Sequence, residues 1–172
     1  LAHRGFKVSI FEKRAQVGGR SGEIRLGPYR FDIGPTFLMM KFLLDEVFEE
    51  TGRNSEDYLE FKRLDPMYRL EFDSFSLRPS PDRDRMREEI RRVFPNEVEG
   101  FDRFMKRERE RFAMLYPCLQ SDYSRFVNLL HPRVLAALPH LGLGRSIFDM
   151  LGDYFGPTDL RLAFTFQSKY LG

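Results

Sequence analysis

Residues 11–36 read FEKRAQVGGRSGEIRLGPYRFDIGPT, and the rest of the chain is organised around this stretch. It follows an apolar run, Phe6–Phe11 (FKVSIF), which reads as a short buried strand ending on Glu12. Before that run, LAHRG has the form of the last turn of a helix stopped by Gly5. After Glu12 comes a loop rich in Gly and Arg, Gln16–Gly22. Two alternating runs then follow, EIRL and YRFDI, separated by Gly27-Pro28, which predicts a small β-hairpin.

Working outward, Phe37, Leu38, Met40, Leu43, Leu44, Val47 and Phe48 recur at helical spacing with acids on the opposite face and Gly52 as the stop. A helix of about three to four turns is expected from Pro35 onward. Between Tyr58 and Leu77, the runs YLEFKRL, MYRLEF and SFSL are broken by Asp65-Pro66 and Asp73-Ser74, the pattern of an antiparallel meander. Beyond Pro79-Ser80-Pro81 the chain reads as helical over residues 82–94, 96–116, 123–130, 132–138, 146–155 and 158–170. Pro95, Pro117, Pro132, Pro139 and Pro157 stand at or just outside the ends of these segments.

Composition sets outer bounds. The 172 residues are 42% hydrophobic and 31% charged, a globular balance. Twenty-eight Lys and Arg against 26 Asp and Glu leave +2, too even to advertise nucleic acid. In RDRMREEIRR and MKRERERF the acids interleave with the bases at pairing distance, while Met86, Ile90, Val93, Phe101, Phe104, Phe112 and Leu115 form apolar stripes. These are amphipathic helix faces, with a basic, Phe-rich binding module as the rival reading. Eighteen Phe and seven Tyr with no Trp provide large flat rings for a core or for an apolar ligand. No stretch reaches the roughly 20 apolar residues of a membrane span, and the first residues do not read as the basic-then-apolar pattern of a signal segment. Cys118 is the single cysteine. It excludes an internal disulfide, fits a reducing cytoplasmic setting, and reads as a small buried hydrophobe. His3, His131 and His140 have no metal-ligand spacing, so no metal is expected, and surface or capping roles suit them best.

The chemistry lies after the first strand. An acid at a strand end is where a doubly wound dinucleotide fold places the group that binds a ribose, and Glu12 holds that position. A solvated strand-end acid is the plainer alternative. Gly18-Gly19-Arg20-Ser21 adds a backbone that a phosphate can approach closely and a guanidinium fork to meet it. With these residues in place, the stretch resembles the ribose-to-GGR block of the FAD-dependent amine oxidase and carotenoid desaturase superfamily. Phe31-Asp32-Ile33-Gly34-Pro35-Thr36 is similar to the FDxGPT pattern of the phytoene desaturase branch. Three further stretches resemble that branch: Arg63–Leu70 (RLDPMYRL), Phe94-Pro95 through Gly100-Phe101, and Phe164–Gly172 (FTFQSKYLG).

The resemblance implies an α/β fold. Residues 1–36 would be part of a Rossmann-like FAD-binding domain whose first strand and GxGxxG turn lie outside this sequence. Residues 37–81 would be a linking helix and a substrate-domain β-meander, and 82–172 a helical region facing substrate or membrane. It implies FAD as cofactor, with Glu12 at the ribose, Arg14 beside it, and Gly18, Gly19 and Arg20 at the pyrophosphate with Ser21 adjacent. Gly34, Pro35 and Thr36 would approach the flavin. The reaction implied is desaturation of an apolar, carotenoid-like polyene, by an enzyme that needs residues beyond this chain to be active. No catalytic residue can be named. Carotenoid isomerases or saturases, other flavin amine oxidases, and a degenerate non-enzymatic relative are the alternatives. From Phe126 to Gly144 (FVNLLHPRVLAALPHLGLG) the sequence is apolar but broken by two prolines. It suits a segment lying on a bilayer, with Arg125, Arg133 and Arg145 at headgroup phosphates, or else a pair of core helices. A peripheral membrane location is the expectation, and poor solubility of the chain alone.

Overall fold

Where the sequence turns sharply, the structure follows it. The computed structural model describes residues 1–34, 37–166 and 168, and its contacts separate into two units, 1–62 and 63–172.

In the first unit, Ala2–Arg4 form a single 3-10 turn, and Gly5 closes it in the left-handed region (φ 83°), its N–H donating to the Ala2 carbonyl. The expected hairpin is present: β1 (Glu23–Leu26) pairs antiparallel with β2 (Tyr29–Asp32), Leu26 opposite Tyr29 and Glu23 opposite Asp32. Its two-residue loop begins on Gly27 at φ 59°. Pro28 cannot follow with a positive φ, so the loop matches the II′ class, whose twist suits paired strands. Helix α1 spans Lys41–Glu50, later than its apolar repeat predicts, because Met40 takes a left-handed conformation (φ 58°) that ends any helix arriving from residue 36. Its C-terminus stops as expected beside Gly52 (φ 70°). A short 3-10 turn, Ser55–Asp57, returns to α1 through the buried Ser55 hydroxyl, which donates to Asp45 (2.5 Å), itself bound by Lys41 (2.8 Å).

The strand expected over Phe6–Phe11 does not form. The segment pairs with nothing among the described residues, and Ile10 and Phe11 stand 88% and 95% exposed. A parallel strand exists only through its neighbours, and none pairs with this segment among the described residues.

In the second unit, the predicted meander reduces to one short ladder, β3 (Leu70–Glu71) against β4 (Ser76–Leu77). The run YLEFKRL, which straddles the boundary between the units, forms no strand. Helix α2 (Arg83–Val93) is capped by Asp82, whose carboxylate accepts from Arg85 N–H at 2.9 Å. Met86 and Ile90, four apart, form its buried stripe. Glu88 pairs with Arg91 on the solvated face, while the mostly covered Glu89 pairs with Arg92 and accepts from Arg78 N–H at 2.8 Å. Phe94, restrained by the following Pro95, leaves the helical region and ends α2.

Helix α3 (Val98–Leu119) continues through Pro117, expected to lie outside it. In a last turn the missing N–H costs one hydrogen bond, and the ring's fixed φ is helical. Beyond it are a 3-10 turn over Phe126–Leu130, where a helix was expected, and three short helices: α4 (Pro132–Ala137), α5 (Ile147–Leu151) and α6 (Thr158–Thr165). His131 caps α4, its Nδ1 accepting from Arg133 N–H at 3.2 Å. Ser146 caps α5 through Asp149 N–H at 3.1 Å.

The core of this unit gathers Leu77, Met86, Ile90, Val98, Phe101, Leu151, Phe155, Leu160 and Ala163. Phe104 meets Phe164 edge-on with ring centres 5.2 Å apart, and Phe155 meets Phe164 at 4.8 Å, so these rings build the core of the second unit. Gly100 lets α3 approach the 152–157 loop: a Cβ there would stand 2.2 Å from the Tyr154 carbonyl oxygen. Cys118 is half-buried rather than buried. Its thiol lies 3.7 Å from the carbonyl oxygens of Met114 and Arg133, between α3 and α4.

Candidate functional site

The GGR loop folds into a tight turn. Gly18 (φ 117°) and Gly19 (φ 53°) take backbone conformations that side chains disfavour. A 3-10 turn over Gly19–Ser21 then closes, with Ser21 N–H donating to the Gly18 carbonyl at 2.8 Å. The hairpin brings the far end of the block back to this turn. Ile33 N–H donates to the Gly22 carbonyl (3.2 Å), and Gly34 then passes so close to Arg20 that a Cβ would fall 1.8 Å from its carbonyl oxygen. Gly18, Gly19, Arg20, Ser21 and Gly34 are thus one cluster.

Glu12 and Arg14 form a separate local pair, the Glu12 carboxylate accepting from Arg14 N–H at 2.9 Å. No hydrogen bond or ion pair among the described residues joins them to the 18–22 turn. Pro35 and Thr36 lie outside the described residues.

The bases near the turn are not equivalent. Arg25 hydrogen-bonds the Glu23 carboxylate and holds it below the usual carboxylate range, and Arg30 lies 4.0 Å from the same group. Those charges are partly spent. The guanidinium groups of Arg14 and Arg20, in contrast, make no hydrogen bond or ion pair among the described residues, and both side chains are exposed. An open glycine turn with an unengaged guanidinium fits a phosphate-bearing cofactor. Among the described residues there is no cluster of three or more His, Cys, Asp or Glu placed to hold a metal.

The matches to known proteins run the full length of the chain. The family model for flavin containing amine oxidoreductases covers residues 1–168. The chain belongs to that family. Family membership brings FAD as cofactor. The chain is 51% identical over all 172 residues to a 4,4'-diapophytoene desaturase (4,4'-diapolycopene-forming) of Methylomonas sp.. It is 33% identical over 174 aligned positions to a zeta-carotene-forming phytoene desaturase of Myxococcus xanthus, and 32% identical to a 4,4'-diapolycopen-4-al dehydrogenase of Metabacillus indicus. Each alignment takes in 100% of this chain but only 34%, 34% and 35% of the relative, so the chain spans about a third of the length of the relatives it matches.

The stretch Phe94–Phe101 has a structural use here: Gly100 makes the close approach and Phe101 is a core ring, 1% exposed. A second feature was not singled out from sequence. In the 63–172 unit an apolar cavity of about 300 Å³ opens between Met67, Pro79, Met86, Met105, Ala163 and Phe164. Its walls come from four separate stretches of chain, and no local pattern announces such a site.

Proposed function

We propose that this chain belongs to an FAD-dependent oxidoreductase that introduces double bonds into an acyclic carotenoid precursor. Residues 1–36 form part of its FAD-binding domain, 37–81 a connecting helix and substrate-side strands, and 82–172 a helical region facing substrate and membrane. What carries the reading is the 51% identity over the whole chain to a desaturase of that type. The folded GGR turn supports it.

In this reading Glu12 accepts hydrogen bonds from the ribose, with Arg14 beside it. Gly18 and Gly19 keep the backbone bare where the pyrophosphate passes, Arg20 supplies the charged fork, and Ser21 a hydroxyl. Gly34 leads the chain toward the flavin, followed by Pro35 and Thr36. Held by these residues, FAD would supply the two-electron acceptor for dehydrogenation of a saturated carbon pair. The protein's part is to position an apolar substrate and exclude water.

We also read the 126–143 surface as a peripheral membrane contact. Among the described residues no helix is long and apolar enough to cross a bilayer. Yet Phe126 and Leu143 are 76% and 78% exposed, and of α4 only Ala137 is buried. The guanidinium groups of Arg125 and Arg133 make no hydrogen bond or ion pair among the described residues, whereas Arg145, expected at a headgroup with them, is committed to Asp153 at 2.8 Å and to the Asp149 carbonyl at 2.9 Å. An apolar polyene held in lipid would be collected from such a face.

The test of the function is reconstitution of the full-length protein with FAD and an acyclic C30 or C40 polyene precursor in liposomes. Appearance of the longer conjugated chromophore, with an absorbance shift to the red, is the expected result. A flavin-loaded protein that leaves the precursor unchanged overturns the assignment.

A further inference from the structure

Met40 takes a backbone conformation that its side chain disfavours. Its φ of 58° and ψ of 50° lie in the left-handed helical region, and among the described residues every other positive φ belongs to a glycine. There the Cβ of an L-residue crowds the following carbonyl oxygen. Glycine avoids the clash and asparagine offsets it with a local hydrogen bond; methionine can do neither.

The conformation is imposed from both sides. Upstream, the chain is pinned at Gly34, whose backbone lies against the Arg20 carbonyl. Downstream, Lys41 is fixed at the start of α1 by Asp45 (2.8 Å) and Glu56 (3.6 Å), its ammonium 4.9 Å from the centre of the Phe61 ring. The reversal needed to enter α1 falls on residue 40. Leu43 N–H donates to the Met40 carbonyl at 3.0 Å, closing the first turn on it, while the Met40 side chain caps nothing.

A glycine would make the same reversal without strain. Burial does not offset the strain either: Met40 is 44% exposed, and Phe37, Leu38 and Met39 before it are 47%, 53% and 53% exposed. Strain that no local contact offsets is characteristic of residues that meet a ligand. Place and chemistry narrow that ligand. The four consecutive large apolar residues 37–40 follow directly on the 34–36 stretch that leads to the flavin in the reading above, so what they meet is apolar and next to the cofactor. An unbranched thioether adapts its shape to a methyl-branched chain.

We propose that Met40 is a positioning residue for the polyene, its strained backbone setting the thioether against the substrate carbons beside the flavin. The proposal rests on the carotenoid-precursor reading and adds a residue that orients the substrate.

The test uses the full-length FAD-loaded protein and three variants. Met40→Gly and Met40→Asn suit the left-handed backbone and remove the thioether; Met40→Leu keeps a large apolar side chain. Three quantities are read: the midpoint of chemical denaturation, the binding of diphenylhexatriene, a rod-shaped polyene whose emission the flavin absorbs, and kcat and KM on the acyclic precursor. Met40→Gly and Met40→Asn should unfold at the same denaturant concentration as the wild type or a higher one. Their probe titrations should weaken about tenfold or more. KM should rise in parallel, with kcat falling less and flavin content unchanged. Met40→Leu should return the probe affinity to within about threefold of the wild type.

An earlier midpoint in both the glycine and the asparagine variant would make Met40 a packing residue and overturn the proposal. Unchanged probe affinity and KM in both would overturn it as well, while leaving desaturation in place. A wild type that binds the probe but does not oxidise the precursor removes the desaturase reading alone; weaker binding in the two variants then still establishes Met40 at a polyene site.

Discussion

Gly34 lies against Arg20: a Cβ on residue 34 would stand 1.8 Å from the Arg20 carbonyl oxygen and 2.9 Å from its carbonyl carbon. Both obstacles are backbone, which cannot swing aside as a side chain end does. An alanine at 34 must therefore move the turn that carries Arg20, or move itself. Overpacking of this kind costs about 1–3 kcal/mol, which converts to roughly a tenfold or greater loss of affinity if it falls on the cofactor loop. Full-length Gly34→Ala is expected to purify with much less flavin, read from the flavin-to-protein absorbance ratio. Full occupancy would show that the contact is unrelated to cofactor binding.

The arginines of the block should separate by their existing engagements. Among the described residues the Arg20 guanidinium has no partner, so Arg20→Ala should leave folding intact and weaken FAD binding by about 10- to 100-fold, the worth of one charge-assisted hydrogen bond. Arg25 is committed to Glu23 at the surface, and Arg25→Ala should change FAD affinity by less than about twofold. Equal losses in the two variants would mean that general positive charge, and not the turn, attracts the cofactor.

The hairpin was legible in sequence because its decisive residues are local. Gly27-Pro28 specifies the loop, and alternating EIRL and YRFD specify the strands. Its register then carries residues 33 and 34 back to the turn at 20–22, so most of the candidate site follows from one hairpin. An apolar run such as Phe6–Phe11 reports burial in a sheet, but no strand pairs with it among the described residues and it stays exposed. The late start of α1 turns on the backbone of Met40, a residue with no intrinsic preference for positive φ. The helices after Pro79 were readable from capping residues and prolines, but several are shorter than their apolar repeats. The Met-lined cavity was not legible at all, being assembled from residues nearly a hundred positions apart.

Gly100 offers a test within the second unit alone. Its hydrogen stands where a methyl would meet the Tyr154 carbonyl oxygen at 2.2 Å. Glu97 on the preceding turn accepts from Gly156 N–H at 3.2 Å, which pins the same loop. Gly100→Ala should destabilise by about 1–3 kcal/mol despite the higher helix propensity of alanine. A lowered midpoint in chemical denaturation is the expected reading. A gain in stability would mean that the 152–157 loop yields freely.

Acid should loosen the α2–α3 contact. The Asp102 carboxyl is held below its usual range first by its hydrogen bond from Arg87, and further by Arg83. Glu89 is lowered by Arg92 and by Arg78 N–H. A depressed folded-state pKa adds stability that is fully present above the unfolded value, about 4 for these groups. That stability is lost as pH falls through the folded value. The melting temperature should thus be insensitive to these groups between pH 5 and 8 and drop below about pH 4. In Asp102→Asn it should be lower at pH 7 and fall less steeply in acid. A variant with the wild-type acid slope would show that the Arg83–Asp102–Arg87 bridge contributes nothing.

The apolar surface over 126–143 can be tested without disturbing the core. Phe126 and Leu143 are each more than three-quarters exposed, at 76% and 78%, so acidic replacements there remove little packing. Inserted in lipid, each ring or side chain would contribute about 1.5–3 kcal/mol; an aspartate in its place would be repelled by anionic headgroups. The full-length double variant Phe126→Asp, Leu143→Asp should lose co-sedimentation with phosphatidylglycerol-containing liposomes by at least tenfold. It should keep its flavin and its melting temperature. The same loss in detergent-solubilised turnover would point to a folding defect instead. Retained sedimentation would place the membrane contact elsewhere and leave this face for other protein surface to cover.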